Sequence, residues 1–183
     1  MDAGISAAVA ALRGGGVVAY PTEAVWGLGC DPHDEAAVRE LFRLKQRPAG
    51  VGVLLIGSSF AQLSGYVGTL PEAALERTRA SWPGASTWVF PASARVPRWI
   101  RGDHAGVALR VTAHPVAAAL CEAFGGALVS TSANRHGEPP MRDAADVRAA
   151  FGAELAAVVD GALGGLDRPT PIRDALSGET LRA

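Results

Sequence analysis

Apolar and polar positions along this chain follow two alternating periods. Between 3 and 13 the apolar residues recur at helical spacing, and Gly14, Gly15 and Gly16 close the run, so a helix is expected over 3–13. A short, fully apolar stretch at 17–20 is stopped by Pro21 and predicts a buried strand. Residues 21–33 keep neither period and are rich in glycine, which predicts a loop. Asp34 stands where an N-cap is needed, and Val38, Leu41 and Phe42 share one face of a helix expected over 34–44. The same reading predicts strands at 52–57, 86–91, 107–111, 127–131 and 156–160. It predicts helices at 71–82, 115–124 and 143–151, and one or two short edge strands in the tail from 171 onward.

Helices and strands therefore alternate over the whole length, which predicts a layered α/β fold. Not every pair of strands is separated by a helix. The sheet is thus expected to be twisted and mixed, with parallel and antiparallel pairs, and flanked by helices. The length of 183 residues suits one domain, 1–183, at roughly 100–200 residues per domain. Residues 161–171 are glycine-rich and read as an active-site loop or a mobile segment. The apolar stretch 5–12 has no basic residue before it and Arg13 after it, the reverse of a signal peptide, so it reads as a docking helix. No run approaches the ~20 apolar residues that a membrane span requires, and a cytoplasmic location without membrane contact is expected.

Composition narrows the chemistry. Lys+Arg is 17 and Asp+Glu 18, a net charge of −1, which argues against a protein whose main work is gripping nucleic acid. Two cysteines, Cys30 and Cys121, exclude a disulfide scaffold and a multi-cysteine zinc site. Lys45 is the only lysine and Asn134 the only asparagine, in a chain rich in arginine and alanine. Residue types otherwise driven out of a composition mark positions that need them. A P-loop is absent, because Lys45 follows Leu44 rather than glycine, and Gly27-Leu28-Gly29 lacks the third glycine of a dinucleotide fingerprint. The four histidines, His33, His104, His114 and His136, lack zinc-ligand spacing and read as surface or loop residues.

Four segments carry candidate chemistry. In Lys45-Gln46-Arg47-Pro48, Pro48 is expected to hold Arg47 extended, so that Lys45 and Arg47, at i and i+2, aim two cations at one spot. Such a pair suits a polyphosphate; a solvated basic helix end is the plain alternative. Ser130-Thr131-Ser132-Ala133-Asn134 follows a buried strand, where ligand sites of α/β sheets lie, and Ser132 and Asn134 share i, i+2 spacing; ordinary turn chemistry is the alternative. In the segment Pro21-Thr22-Glu23-Ala24-Val25-Trp26-Gly27, Thr22 offers a hydroxyl where a strand emerges. Glu23 could be a base or a metal ligand but reads as a solvated loop residue, and Trp26 as packing. Arg110 lies inside an apolar strand pattern and needs a bound anion or an internal carboxylate if it is buried.

In order, residues 20–31 (YPTEAVWGLGCD), 44–48 (LKQRP), 109–115 (LRVTAHP), 128–134 (LVSTSAN) and 172–176 (IRDAL) closely resemble the YrdC/TsaC family, the threonylcarbamoyl-AMP synthases. The likeness runs from about residue 3 to the C-terminus and matches the short form without an extra C-terminal domain. It implies a YrdC-like twisted mixed sheet with a large, concave, positively lined cavity. It implies condensation of L-threonine, bicarbonate and ATP, with Mg2+, to threonylcarbamoyl-AMP and pyrophosphate. A separate threonylcarbamoyl-transferase complex would use that product on tRNA. The family's Lys-Arg-Ser-Asn tetrad falls on Lys45, Arg47, Ser132 and Asn134, expected to be catalytic and nucleotide-binding. Ser130 and Thr131 would line the nucleotide side, and Thr22 and Arg110 would hold threonine, Arg110 by its carboxylate. No metal ligand is assigned. Many relatives carry a second lysine where Val51 stands here, and the segment Arg168-Pro169-Thr170-Pro171 matches only loosely. An RNA-binding module of the same fold, with weak RNA binding, and a carbamoyl-adenylate enzyme using carbamoyl phosphate are the alternative readings.

Overall fold

The structure is a computed structural model and describes residues 2–48 and 50–182. In chain order its elements are α1 (Ala3–Arg13), β1 (Val18–Pro21), β2 (Trp26–Gly29), α2 (Glu35–Lys45), β3 (Leu54–Gly57), α3 (Phe60–Leu63) and α4 (Glu72–Arg79). There follow β4 (Thr87–Pro91), α5 (Arg98–Arg101), β5 (Gly106–Val111), α6 (Pro115–Phe124), β6 (Leu128–Ser132), α7 (Ala144–Phe151), β7 (Ala157–Val158), β8 (Ile172–Asp174) and β9 (Thr180–Arg182).

The longer helices begin and end on the signals their sequences carry. Asp2 accepts from the amides of Gly4 and Ile5 to start α1, and Asp34 accepts from the Ala37 amide at 3.1 Å to start α2. Pro115 opens α6, and Gly125 closes it with φ 89°, a left-handed value that glycine adopts without steric cost. Asp143 caps α7 through the Ala145 amide at 2.6 Å.

The strands form one sheet in the order β7-β1-β2-β6-β3-β5-β4-β8-β9 among the described residues. Three pairs are parallel, β1 with β7, β3 with β5 and β4 with β8. The others are antiparallel, so the sheet is mixed as the alternation of elements predicted. Alternate side chains serve two cores, one on each face. Val17, Ala19, Leu55, Leu109 and Val129 face α2, whereas Val18, Tyr20, Ile56 and Leu128 face α1 and α6. On the second face the helices cover only part of each strand. Beyond Leu128, β6 continues with Ser130 and Ser132; Ser130 pairs with Leu54 of β3 and lines an open pocket with it.

The main departure from expectation is β2, inside the segment read as a loop. Trp26 and Leu28 are buried at 2% and 0% exposure, and Trp26 packs as expected. The glycines that suggested a loop sit where the Tyr20 ring lies on the strand. A Cβ on Gly29 would stand 2.8 Å from the Tyr20 hydroxyl and 2.5 Å from the Val129 carbonyl oxygen. Glycine here is a packing requirement, not a sign of irregular backbone. The short helices α3 and α5 were not foreseen, α4 is shorter than the 71–82 expected, and the tail supplies two strands, β8 and β9. Gly29→Ala is expected to lower stability by about 1–3 kcal/mol through this overpacking. An unchanged urea midpoint would contradict the close packing of β1, β2 and β6.

Candidate functional site

The uncovered part of the sheet face holds a pocket of about 270 Å³. Its wall brings together Thr22, Arg47, Arg110, Ser130, Thr131 and Ser132, six of the eight predicted site residues. Lys45 and Asn134 do not line it; they stand immediately behind Ser132.

The Lys45 end is built by a route the sequence did not suggest. Lys45 is the last residue of α2, and Gln46 turns the chain through a left-handed conformation (φ 51°, ψ 38°) in place of the extended segment expected. The helix end, closed by Arg47 N donating to the Phe42 carbonyl at 2.9 Å, sets both cations toward β6. The Lys45 ammonium donates to the Ser132 carbonyl, to the Asn134 carbonyl at 2.9 Å and to Asn134 Oδ1 at 3.3 Å. Asn134 Oδ1 also accepts from Ser132 Oγ at 2.5 Å, and its Nδ2 donates to the Arg135 and Glu138 carbonyls at 2.8 Å each. Every polar atom of the Asn134 side chain is thereby engaged in shaping the turn after β6. Arg47 donates to the Gly52 carbonyl at 2.5 Å and to Thr131 Oγ1 at 3.4 Å, while its buried Nε has no partner. Burial, and then the positive charge of Arg47, bring the Lys45 pKa down from 10.5 to about 8.

At the other end, Arg110 is 5% exposed and finds an internal carboxylate, one of the two partners its place in the strand required. That carboxylate is Glu23, which the sequence read as solvated but which is only 6% exposed. Glu23 Oε2 lies 3.6 Å from Arg110 Nη2, and Glu23 Oε1 accepts from Thr112 Oγ1 at 2.7 Å and the Ala113 amide at 3.2 Å. Burial alone would raise the Glu23 carboxyl, but Arg110, Thr112 and the local amides outweigh it and hold it below the usual carboxylate range. Thr22 Oγ1 donates to the Val25 carbonyl at 2.7 Å.

Residues 161–171 close this end. Gly164 N donates to Thr22 O and Leu166 N to Glu23 O, both at 3.0 Å, so part of the segment is laced to the β1–β2 connection. His114, read as a surface or loop residue, stands in the loop before α6 but is only 4% exposed, with its Nε2 2.9 Å from the Ala162 carbonyl under this lacing. The loosely matching tail segment supplies Thr170, which accepts from Arg110 Nη1 at 2.8 Å and lies 3.3 Å from the Thr87 hydroxyl. Thr87, Thr170 and Arg182 of β9 line the pocket and were missed. Nothing in the local sequence pattern marked them, since pairing of β4 with β8 and of β8 with β9 brings Thr87 of β4 together with Thr170 and Arg182 of the tail. Val51 lines a separate apolar groove with Ile100 and Leu181, not this pocket. Among the described residues no group of three His, Cys, Asp or Glu is placed to hold a metal ion, and no helix is long and apolar enough to cross a membrane.

These features define a mixed α/β fold with an arginine- and hydroxyl-lined pocket at the uncovered end of one sheet face. The model of the Sua5/YciO/YrdC family, described as Telomere recombination, matches residues 10–183, and the chain belongs to this family. A protein of Halorhodospira halophila named threonylcarbamoyl-AMP synthase is 59% identical over 96% of this chain and 92% of its own length. One of the same name from Stenotrophomonas maltophilia is 54% identical over 98% and 97%. The crystal structure of P. abyssi Sua5 complexed with L-threonine has 35% identity and a TM-score of 0.87, covering 93% of this chain. This chain spans about half of that longer protein, 50% of its length.

Because Lys45 is the only lysine, its ammonium can be followed alone in selectively labelled protein. NMR titration is expected to give a midpoint near 8, moving upward in Arg47→Gln as the neighbouring charge is removed. A midpoint at the ordinary value of 10.5 would contradict the burial. The sign for stability follows. The unfolded chain keeps this proton to higher pH than the folded one, so holding the buried cation costs stability below about 8. That cost is relieved as pH rises from about 8 to 10.5.

Proposed function

We propose that this protein is an L-threonylcarbamoyladenylate synthase, a nucleotidyltransferase that condenses L-threonine, bicarbonate and ATP to threonylcarbamoyl-AMP and pyrophosphate. The observation that carries the reading is one pocket with a cation at each end, Arg47 beside Thr131 and Ser132, and Arg110 beside Thr22. Relatives bearing that enzyme's name at 52–59% identity, and the threonine complex of P. abyssi Sua5, support it.

The chemistry asks for such a pocket. The threonine amine and bicarbonate give a carbamate with loss of water. The carbamate oxygen then attacks the α-phosphorus of ATP, and pyrophosphate leaves. Both reactants are anions, so catalysis consists of neutralising charge and aligning them. In this reading Arg47, Ser130, Thr131 and Ser132 contact the nucleotide. Lys45 and Asn134 fix the β6 turn behind them, and the ammonium adds positive charge at short range. Arg110 takes the threonine carboxylate and Thr22 sits beside it. Mg2+ bound with ATP would add positive charge to the phosphates, and the Ser130, Thr131 and Ser132 hydroxyls are the wall oxygens that could approach it. The product is a mixed anhydride, to be consumed by a separate threonylcarbamoyl-transferase complex acting on tRNA.

The test is pyrophosphate release from ATP, Mg2+ and bicarbonate, with and without L-threonine, with mass analysis of the adenylate. Threonine-dependent release is expected, and Arg47→Ala should reduce it at least 100-fold while the protein stays folded. Release that needs carbamoyl phosphate in place of threonine, or salt-sensitive RNA binding with no turnover, would move the assignment to the alternative readings.

A further inference from the structure

Arg110 is not held as an ordinary buried arginine. It has five N–H donors, yet makes one side-chain hydrogen bond among the described residues, to Thr170 Oγ1 at 2.8 Å. Its carboxylate partner, Glu23 Oε2, stands at 3.6 Å from Nη2, too far for a hydrogen bond, and Glu23 Oε2 and Arg110 Nε are both buried without a hydrogen-bond partner. A pair closed into a bidentate fork would spend two of the five donors on the carboxylate, whereas here none is spent on it.

What keeps the pair open is the fixing of Glu23 on its other side. Thr112 Oγ1 and the Ala113 amide both hold Oε1, so the carboxylate cannot turn to face Arg110 squarely. The main chain of Glu23 is clamped as well. Leu166 N donates to its carbonyl, and Gly164 lies so close that a Cβ there would stand 2.8 Å from Glu23 Cα. Arg110 lines the pocket and Glu23 does not, so the carboxylate lies behind the guanidinium rather than beside any ligand.

We propose that Glu23 is a positioning residue for substrate selection: from behind the wall it balances the buried charge of Arg110 without occupying its hydrogen-bond donors, which stay aimed at the carboxylate of a small amino acid. The inference rests on the synthase reading above. Without Glu23 the buried guanidinium loses its counter-charge and turns further toward its Thr170 contact and the neighbouring Thr87 hydroxyl, and the amino acid is what suffers, not the nucleotide.

The experiment is steady-state pyrophosphate release by the full chain, varying threonine and ATP separately. Glu23→Gln keeps the size and an acceptor for Thr112 and Ala113. It is expected to raise the threonine KM at least 10-fold while the ATP KM stays within twofold. In an Arg110→Gln background the same change should alter kcat/KM for threonine less than twofold, because the residue it acts through is already gone. Thr112→Val keeps both charges and removes one of the two bonds that hold the carboxylate, along with the acceptor Thr112 offers the His114 amide, and should raise the threonine KM a few-fold with the ATP KM within twofold; it carries the test if Glu23→Gln does not fold. A threonine KM within twofold of the parent in Glu23→Gln, a parallel rise in both KM values, or multiplying effects in the double variant would each overturn the inference while leaving the synthase reading intact. No threonine-dependent release from the unsubstituted protein would overturn both.

Discussion

The Lys45 ammonium is shared by three oxygens at the end of β6, and the shape of the site depends on that sharing. It joins the last residue of α2 to the turn after β6, two elements far apart in sequence. The Asn134 carbonyl there has no other donor among the described residues, and leaving it unpaired would cost about 1–3 kcal/mol; the Ser132 carbonyl also accepts from the Asn134 amide at 3.1 Å. The same contact fixes where Ser132 stands, because Asn134 Oδ1 accepts from both Ser132 and Lys45. A lysine suits the position because one compact point can donate in three directions, whereas a planar guanidinium would impose its own plane on the turn.

The two ends of the pocket solve one problem differently. A cation must be kept buried before any anionic ligand arrives. At the β6 end the solution is neutral oxygens, which hold the ammonium but leave its charge uncancelled, so that burial, and then Arg47, bring its pKa down to about 8. At the β5 end the solution is a full opposite charge, Glu23, held at 3.6 Å. The first arrangement keeps net positive charge at this end of the pocket, which the proposed function assigns to a polyanion. The second is close to neutral overall and discriminates by geometry rather than by attraction.

How much of this was legible in the sequence differs residue by residue. The helices with caps and the apolar strands were readable because their signals are local: Asp34, Pro115 and Gly125 act within a turn of themselves. β2 was not, since its glycines answer to the Tyr20 ring, which approaches from the neighbouring strand. The i, i+2 argument singled out Lys45 and Arg47 but through the wrong geometry; α2 runs one residue further and Gln46 turns left-handed. Arg110 was legible as a residue needing a partner, and a carboxylate was one of two options named, yet Glu23 was read as solvated. Its burial comes from Thr112 and from residues 161–171 folding back over it, contacts up to 143 positions apart that no local pattern encodes. Thr170 and Arg182 fall in the same class.

That tail also settles what Val51 means. Val51 stands where the family resemblance pointed to a second lysine. Val51 belongs instead to the apolar groove beside the site, and Arg182 reaches the pocket from β9, with its Nη2 3.2 Å from the Thr170 carbonyl. The charge facing the pocket is therefore carried by guanidinium groups, Arg47, Arg110 and Arg182. Burial lowers the pKa of Arg47, but a guanidinium starts so high that it stays protonated. A lining whose cations are guanidinium groups keeps its charge across the pH range where proteins work. The buried ammonium of Lys45 is then left as the cation at the β6 end whose charge is lost near 8, which concentrates the pH response of that end in one contact.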